Sequence, residues 1–126
     1  MKNLLLVLAV GIIAGTVISA TTKNQKMLRH VVLFKFKDES TAQQIKKVED
    51  AFRSLPSKIK EVKAFEWGTN NSPEGLAQGY THCFFVSFAS EEARAVYLPH
   101  PAHKAFVDVL SPHLDKVLVV DYWAKD

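Results

Sequence analysis

The sequence predicts an α+β fold whose elements follow the order β-α-β-β-α-β along the chain. Four segments alternate apolar and polar residues, as strands do, and other segments repeat apolar residues every three or four positions, as helices do. This order is the ferredoxin-like arrangement, a four-stranded antiparallel sheet with helices on one face. The other face then needs a cover, and a second copy of the same sheet supplies one. We therefore expect a homodimer.

The first half of the domain contains a strand, a helix and a second strand. The first strand is expected over residues 28–37 because apolar residues recur there at every second position. The helix is expected to begin at Ser40, with Gln43 as its capping-box partner, and to end at Pro56. The second strand is expected over residues 59–67. The apolar face of the first strand, interrupted by one histidine, comprises Leu28, His30, Val32, Phe34 and Phe36.

The second half contains two strands around a broken helix. Residues 68–79 are rich in Asn, Gly, Ser and Pro, so they form a loop. Ser90 is a helix N-cap, and Pro101 suits the first position of another helix, where a missing N–H costs nothing. The predicted elements are a third strand over 80–88, helices over 90–98 and 101–111, and a fourth strand over 117–123.

The N-terminal segment has the composition of a secretory signal peptide. Lys2 gives it a positive start, residues 4–18 are almost wholly apolar, and small residues follow. Residues 1–20 are therefore assigned as a signal peptide, residues 21–26 as a flexible lead-in, and residues 27–126 as one domain. We expect export to a periplasmic or extracellular location. The alternative is an uncleaved N-terminal helix that anchors the protein in a membrane.

Charge and cysteine content exclude some classes of function. The 126 residues carry a net charge of +3 without a basic cluster, so the charge does not indicate nucleic-acid binding. Beyond the signal segment we expect no contact with a membrane. Cys83 is the single cysteine, so an intramolecular disulfide is excluded, and its apolar strand context predicts a buried, inert thiol.

The run from Tyr97 to His103 is the most informative motif of the chain. Two prolines this close cannot both lie inside one helix, so the chain breaks at Pro99 and a new helix begins at Pro101. Tyr97 then ends one helix and His103 lies in the first turn of the next. The phenol and the imidazole can converge on one pocket, and histidine is suited to proton transfer near neutral pH.

Several motifs together resemble the stress-responsive dimeric α/β-barrel (Dabb) family, over residues 27–124. They are residues 29–38 of the first strand, Trp67-Gly68, Gly79-Tyr80-Thr81-His82 and His100-Pro101-Ala102-His103. The resemblance implies a homodimer in which two four-stranded sheets close a dimeric α/β barrel. Many members of the family have no assigned chemistry.

A plant cyclase of this family closes a polyketide chain by aldol condensation, in a pocket between the sheet and the helices of one subunit. The resemblance implies that His103 is the catalytic histidine, Tyr97 a pocket tyrosine and His30 a histidine of the first strand. Asp121 of the last strand is assigned to orienting an imidazole. The side chains expected to bind substrate are His82, Phe84, Val32 and Phe34.

Chemistry of the residues supports the same assignment. A neutral imidazole removes a proton from carbon next to a carbonyl group, and Tyr97 or His30 stabilises the oxyanion that forms. The partial positive charge at the helix N-terminus near Pro101 is expected to lower the pKa of His103 and keep it neutral. His100, next to Pro101, is interpreted as a helix cap. This scheme needs no cofactor.

Three hypotheses on function remain open from the sequence. The protein binds a small apolar or aromatic molecule without chemistry, or it is an enzyme of the cyclase, isomerase or lyase type, or it is a non-catalytic, stress-linked oligomeric protein. A metal site is a weaker alternative, since the spacing of His100 and His103 permits both to bind one metal ion, with His30 or Asp121 as a candidate further ligand. No further closely spaced His, Cys or Glu makes a recognisable ligand set, so we expect no metal.

Overall fold

A computed structural model describes residues 11–18 and 26–126, and it has the ferredoxin-like α+β architecture that the sequence predicts. Residues 11–18 are exposed and adopt neither helix nor strand. The rest of the assigned signal peptide and most of the lead-in lie outside the described residues. The signal peptide therefore stays a prediction. In the part of the chain that is described, no helix combines the length and apolarity needed to cross a bilayer.

Four strands form one antiparallel sheet in the spatial order β2-β3-β1-β4, with the helices on one face. The strands are β1 (Leu28–Phe36), β2 (Ala64–Thr69), β3 (His82–Phe88) and β4 (Leu114–Trp123). The helices are α1 (Ala42–Arg53), α2 (Leu55–Lys58), α3 (Glu91–Tyr97) and α4 (Pro101–Leu110), and a 3-10 turn follows at Ser111–His113. The central strand β1 thus contacts both β3 and β4.

The register of the sheet decides which side chains meet on its helix-covered face. Residues of β1 alternate between buried and half-buried, with the even-numbered residues buried. His30 lies opposite Asp121 of β4 and Val86 of β3. Because paired residues of neighbouring strands point to the same face, His30 and Asp121 share the helix-covered side.

An aromatic core fills the space between the sheet and helices α1 and α4. Phe84 is fully buried and stacks on Phe52, with ring centroids 4.2 Å apart and an interplanar angle of 8°. On its other side Phe84 stacks on Trp67 at 5.4 Å. Phe34 and Phe106 complete the cluster, at 5.4 Å from Phe84 and 4.5 Å from Phe52 respectively.

The start of α1 differs by one residue from the prediction. Thr41, rather than Ser40, is the N-cap: its Oγ1 accepts a hydrogen bond from the backbone N–H of Gln44 at 3.1 Å. The side chain of Gln44 accepts in return from the backbone N–H of Thr41 at 2.9 Å. Ser40 and Thr41 are both residue types that cap helices, but Ser40 donates its hydroxyl hydrogen to the carbonyl oxygen of His113 instead. The Ser40–Gln43 capping box was therefore wrong.

The segment after α1 was predicted wrongly. Pro56 was expected to end a helix and residue 59 to begin a strand, whereas residues 55–58 form the short helix α2. Proline is accepted in the first turn of a helix because the N–H it lacks has no partner there. Ile59 is buried and closes this helix by donating its N–H to the carbonyl of Leu55, and β2 begins only at Ala64.

The sheet face turned away from the helices is largely apolar, and we call it the outer face. It comprises Val31, Leu33, Phe85, Leu118, Val120 and Tyr122. Cys83 also lies there, opposite Leu33, and is exposed. The prediction of a buried thiol was wrong because the register places Cys83 on this face. Partial burial, and secondarily the Glu66 carboxylate, still raise the pKa of Cys83 and keep it protonated.

Candidate functional site

A cavity of about 540 Å³ lies between strands β1 and β4 and helices α3 and α4. This volume falls within the range of pockets that hold small molecules in other proteins. Most of its walls are apolar and include Val32, Phe34, Phe106, Leu110 and Val119. Its polar groups are the side chains of His30, Arg94, Tyr97, His103 and Asp121, together with the Ser111 hydroxyl. The hydroxyl of Ser111 donates to the carbonyl of Val107 within the helix.

The break between α3 and α4 places Tyr97 and His103 side by side, as the two prolines predict. Tyr97 ends α3 and His103 is the third residue of α4, with ring centroids 4.5 Å apart. Between them, the Nδ1 atom of His100 accepts a hydrogen bond from the backbone N–H of Ala102 at 3.0 Å. The interpretation of His100 as a helix cap is therefore confirmed.

The ring of His103 is held with one nitrogen available. Its Nδ1 lies 2.9 Å from the carbonyl oxygen of Leu98. Because a carbonyl only accepts, Nδ1 carries the hydrogen, and in the neutral ring Nε2 is an unprotonated acceptor. Burial, and to a lesser degree the neighbouring His30 and His100, lower the pKa of His103, although the bond to Leu98 opposes this. The direction matches the expectation, but burial rather than the helix N-terminus is the main cause.

Tyr97 is fully buried, and its hydroxyl has no hydrogen-bond partner among the described residues. Its ring lies 4.9 Å from that of Phe88 and 6.1 Å from that of His30. Burial raises the pKa of Tyr97 far above its usual range, so the hydroxyl remains a proton donor. An unpaired buried hydroxyl costs free energy, which a polar group of a bound molecule would offset.

Three charged or polar side chains link the two strands to α3. The Nδ1 of His30 lies 2.7 Å from Oδ1 of Asp121, and Nη1 of Arg94 donates to Oδ2 of the same carboxylate at 2.7 Å. Asp121 thus orients His30 with its Nδ1–H donating. Sequence reasoning missed Arg94, although its position three residues before Tyr97 on one helix placed both on the same face.

His82 and Phe84 do not line this cavity. His82 lies at the other end of the sheet, with Nε2 3.2 Å from Oε1 of Glu49 and Nδ1 2.8 Å from Oγ1 of Thr81. Phe84 is enclosed in the aromatic core by Phe52. Both residues are on the helix-covered face, as predicted, but β3 is separated from the cavity by β1. The predicted residues that the cavity brings together are His30, Val32, Phe34, Tyr97, His103 and Asp121.

The described residues contain no group of three or more His, Cys, Asp or Glu side chains arranged to hold a metal ion. In particular, the Nδ1 atoms of both His100 and His103 are engaged with backbone groups of the α3–α4 corner. The polar groups of the cavity are instead suited to hydrogen bonding and proton transfer.

Known proteins resemble this chain along most of the domain. The Stress-response A/B barrel domain-containing protein HS1 of Arabidopsis thaliana is 44% identical over 95 residues, covering 75% of this chain and 87% of that protein. Olivetolic acid cyclase of Cannabis sativa is 35% identical over 95 residues, covering 75% and 94% respectively.

Solved structures show the same fold. The structure of hydroxynitrile lyase from Passiflora edulis has a TM-score of 0.76 at 25% identity, covering 81% of this chain and 96% of that one. A dimeric ferredoxin-like protein of unknown function from Thermobifida fusca has a TM-score of 0.67 at 28% identity, covering 80% and 93%. Relatives of this fold therefore range from stress-response proteins to a cyclase and a lyase.

Residues 28–124 match the family described as Stress responsive A/B Barrel Domain, or Dabb. This range agrees with the motifs of the first strand and of the His-Pro-Ala-His corner, so the resemblance noted in the sequence is confirmed. The chain belongs to the stress-responsive A/B barrel domain family.

Proposed function

We propose that the protein binds a small, largely apolar molecule with a polar end in the cavity between β1, β4, α3 and α4. The observation that carries this proposal is an apolar cavity of about 540 Å³ lined in part by Tyr97, whose buried hydroxyl is unpaired among the described residues. A bound molecule with a hydrogen-bond acceptor at one end would satisfy this hydroxyl and cover the apolar walls.

Filling the cavity tests this proposal. Val119 lines the cavity, whereas Val96 lies on α3 away from it, and each is 49% exposed. We expect Val119→Phe to weaken binding of the neutral dye Nile red roughly tenfold or more, because the phenyl ring occupies ligand space. Val96→Phe is the matched control and should bind as the parent does. Fluorescence titration measures both, and a parent protein without saturable binding would contradict the proposal.

Acid–base catalysis on a carbonyl compound is a second candidate. The geometry of His103 favours it, since Nδ1 is held by Leu98 and leaves Nε2 as a base that is neutral near pH 7. In this scheme Nε2 takes a proton from the carbon next to a carbonyl, and the electron pair moves to the carbonyl oxygen. The hydroxyl of Tyr97 then donates a hydrogen bond to that oxygen. The cyclase and lyase names of two relatives agree with chemistry in such a pocket.

Deuterium exchange of propiophenone in heavy water, followed by NMR, tests this second candidate. The parent protein should accelerate exchange at the carbon next to the carbonyl, and His103→Gln should reduce that acceleration roughly 100-fold to 10,000-fold. The rate should rise with pH through a midpoint below 6.5 and then level off, because only neutral His103 accepts the proton. His113→Gln, outside the cavity, is the control. Ketone binding without accelerated exchange would reject catalysis and leave the binding proposal intact.

We also propose that the protein is a homodimer that buries the outer face of its sheet. Leu118, Val120 and Tyr122 of β4 are each more than two-fifths exposed there, and exposed apolar patches of this kind mark interaction surfaces. Several structural neighbours are described as dimeric, which supports self-association.

We also propose, on sequence grounds, that residues 1–20 direct export of the protein. A mature N-terminus near residue 21 would support this proposal.

A further inference from the structure

Arg94 is the only Lys or Arg side chain among the described residues that line the cavity. It projects from α3, and its side chain is 26% exposed. One of its five N–H groups, on Nη1, donates to Oδ2 of Asp121 at 2.7 Å. The guanidinium group therefore retains donors at the edge of a mainly apolar cavity.

Donors and acceptors are unevenly balanced at this polar end. Both oxygens of Asp121 already accept a hydrogen bond, Oδ1 from His30 and Oδ2 from Arg94. The remaining N–H groups of Arg94 and the hydroxyl of Tyr97 are donors, and neither group has another partner among the described residues. Arg94 and Tyr97 lie three residues apart, and so on the same face of α3. Acceptor atoms of a ligand would satisfy these donors, whereas Nε2 of His103 is an acceptor that the cavity itself supplies.

We propose that the cavity selects small carboxylic acids, with the ligand carboxylate at Arg94 and its apolar body against the cavity walls. This inference rests on the proposed binding function and specifies its ligand class. A guanidinium group binds a planar carboxylate through parallel N–H···O bonds, which are stronger than bonds between neutral groups. The apolar walls, including Val119 and Phe106, bind the rest of the molecule.

The negative charge of Asp121 opposes an anionic ligand, but its environment limits this effect. Asp121 is paired with one N–H group of Arg94 at 2.7 Å, so its charge is offset while the other guanidinium N–H groups stay available to a ligand. A cationic ligand would be worse placed, because it faces the positive guanidinium and because the Asp121 carboxylate is already paired with Arg94. A neutral amide supplies one acceptor without charge. The expected order of affinity is therefore acid, then amide, then amine.

Three ligands that share a phenylalkyl body test this order: phenylbutanoate, phenylbutanamide and phenylbutylamine. Each is titrated by calorimetry at low ionic strength. We expect the acid to bind the parent protein roughly tenfold more tightly than the amide, the scale of one hydrogen bond to a charged group. Arg94→Gln should remove this preference, because the acid loses more affinity than the amide, and Arg94→Lys should retain part of it. Arg53→Gln is the control, since Arg53 lies on α1, is 57% exposed and is outside the cavity.

The outcomes distinguish a failure of the carboxylate assignment from a failure of the proposed binding function. Equal affinities for acid and amide in the parent protein, or tightest binding of the amine, would overturn the carboxylate assignment while leaving the cavity as a binding site. A parent protein that binds none of the three would reject both. Thermal unfolding of each variant shows whether it is folded, and if Arg94→Gln is not, the Lys variant and added salt still test the charge. Salt should weaken acid binding more than amide binding.

Discussion

Replacing Phe84 by alanine is expected to lower the free energy of unfolding by about 3–5 kcal/mol, the range for deleting a buried phenyl ring. Phe84 is fully buried between Phe52, at 4.2 Å, and Trp67, at 5.4 Å. Phe34 and Phe65 also contact the cluster, at 5.4 Å and 6.2 Å from Phe84. The ring joins β3 to α1, so its loss leaves a cavity that the closely packed core closes only in part.

Urea unfolding measures this change, at one fixed protein concentration because self-association shifts apparent stability. Phe65→Ala is the matched control, since Phe65 belongs to the same core but is only partly buried. The Phe65→Ala substitution should lower the free energy of unfolding by at most about 2 kcal/mol. A cost below that of Phe65→Ala for the Phe84 variant would contradict the core assignment.

Introducing glutamate at Val120 is expected to convert the proposed dimer into a monomer. Val120 lies on β4 opposite Val31, in the apolar outer face. In a two-fold dimer the substitution occurs twice, and each buried, unpaired carboxylate costs several kcal/mol. Two such costs raise the dissociation constant by several orders of magnitude. The monomer itself should remain folded, because Val120 is half exposed in the single chain.

Light scattering at micromolar concentration gives the mass of each variant. Val96→Glu on α3 is the control, because Val96 is exposed to the same degree but lies away from the outer face. This variant should keep the mass of the parent. The dimer proposal fails if the parent protein is monomeric. The assignment of the outer face as its interface fails if Val120→Glu stays dimeric.

Parts of the fold that depend on local chemistry were predictable. The alternation of residues in β1 marked His30, Val32 and Phe34 as inward-facing, and all three are buried. The two prolines at the α3–α4 corner dictated a helix break there, which places Tyr97 next to His103. Such features depend on strand periodicity and on the missing N–H of proline, both readable from a single segment.

Other features depend on contacts between distant segments. Ser40 and Thr41 are equally suited to cap α1, and the carbonyl of His113 decided between them by accepting a bond from Ser40. His82 is as inward-facing as His30, but the strand order places it beyond β1, where it pairs with Glu49. Alternation alone predicts on which face of the sheet a side chain lies. It does not predict where on that face the side chain lies, either along the strand or across the sheet.

The sequence by itself determined the fold class, the order of the four strands and the main helices, and the corner that carries Tyr97 and His103. Only the tertiary structure decided which side chains share the cavity. It joined Arg94, Asp121 and His30, which lie far apart in the chain, and separated His82 and Phe84 from them. The physical reason is that strand register and helix packing are set by the whole core at once, whereas turns and periodicity are set by neighbouring residues.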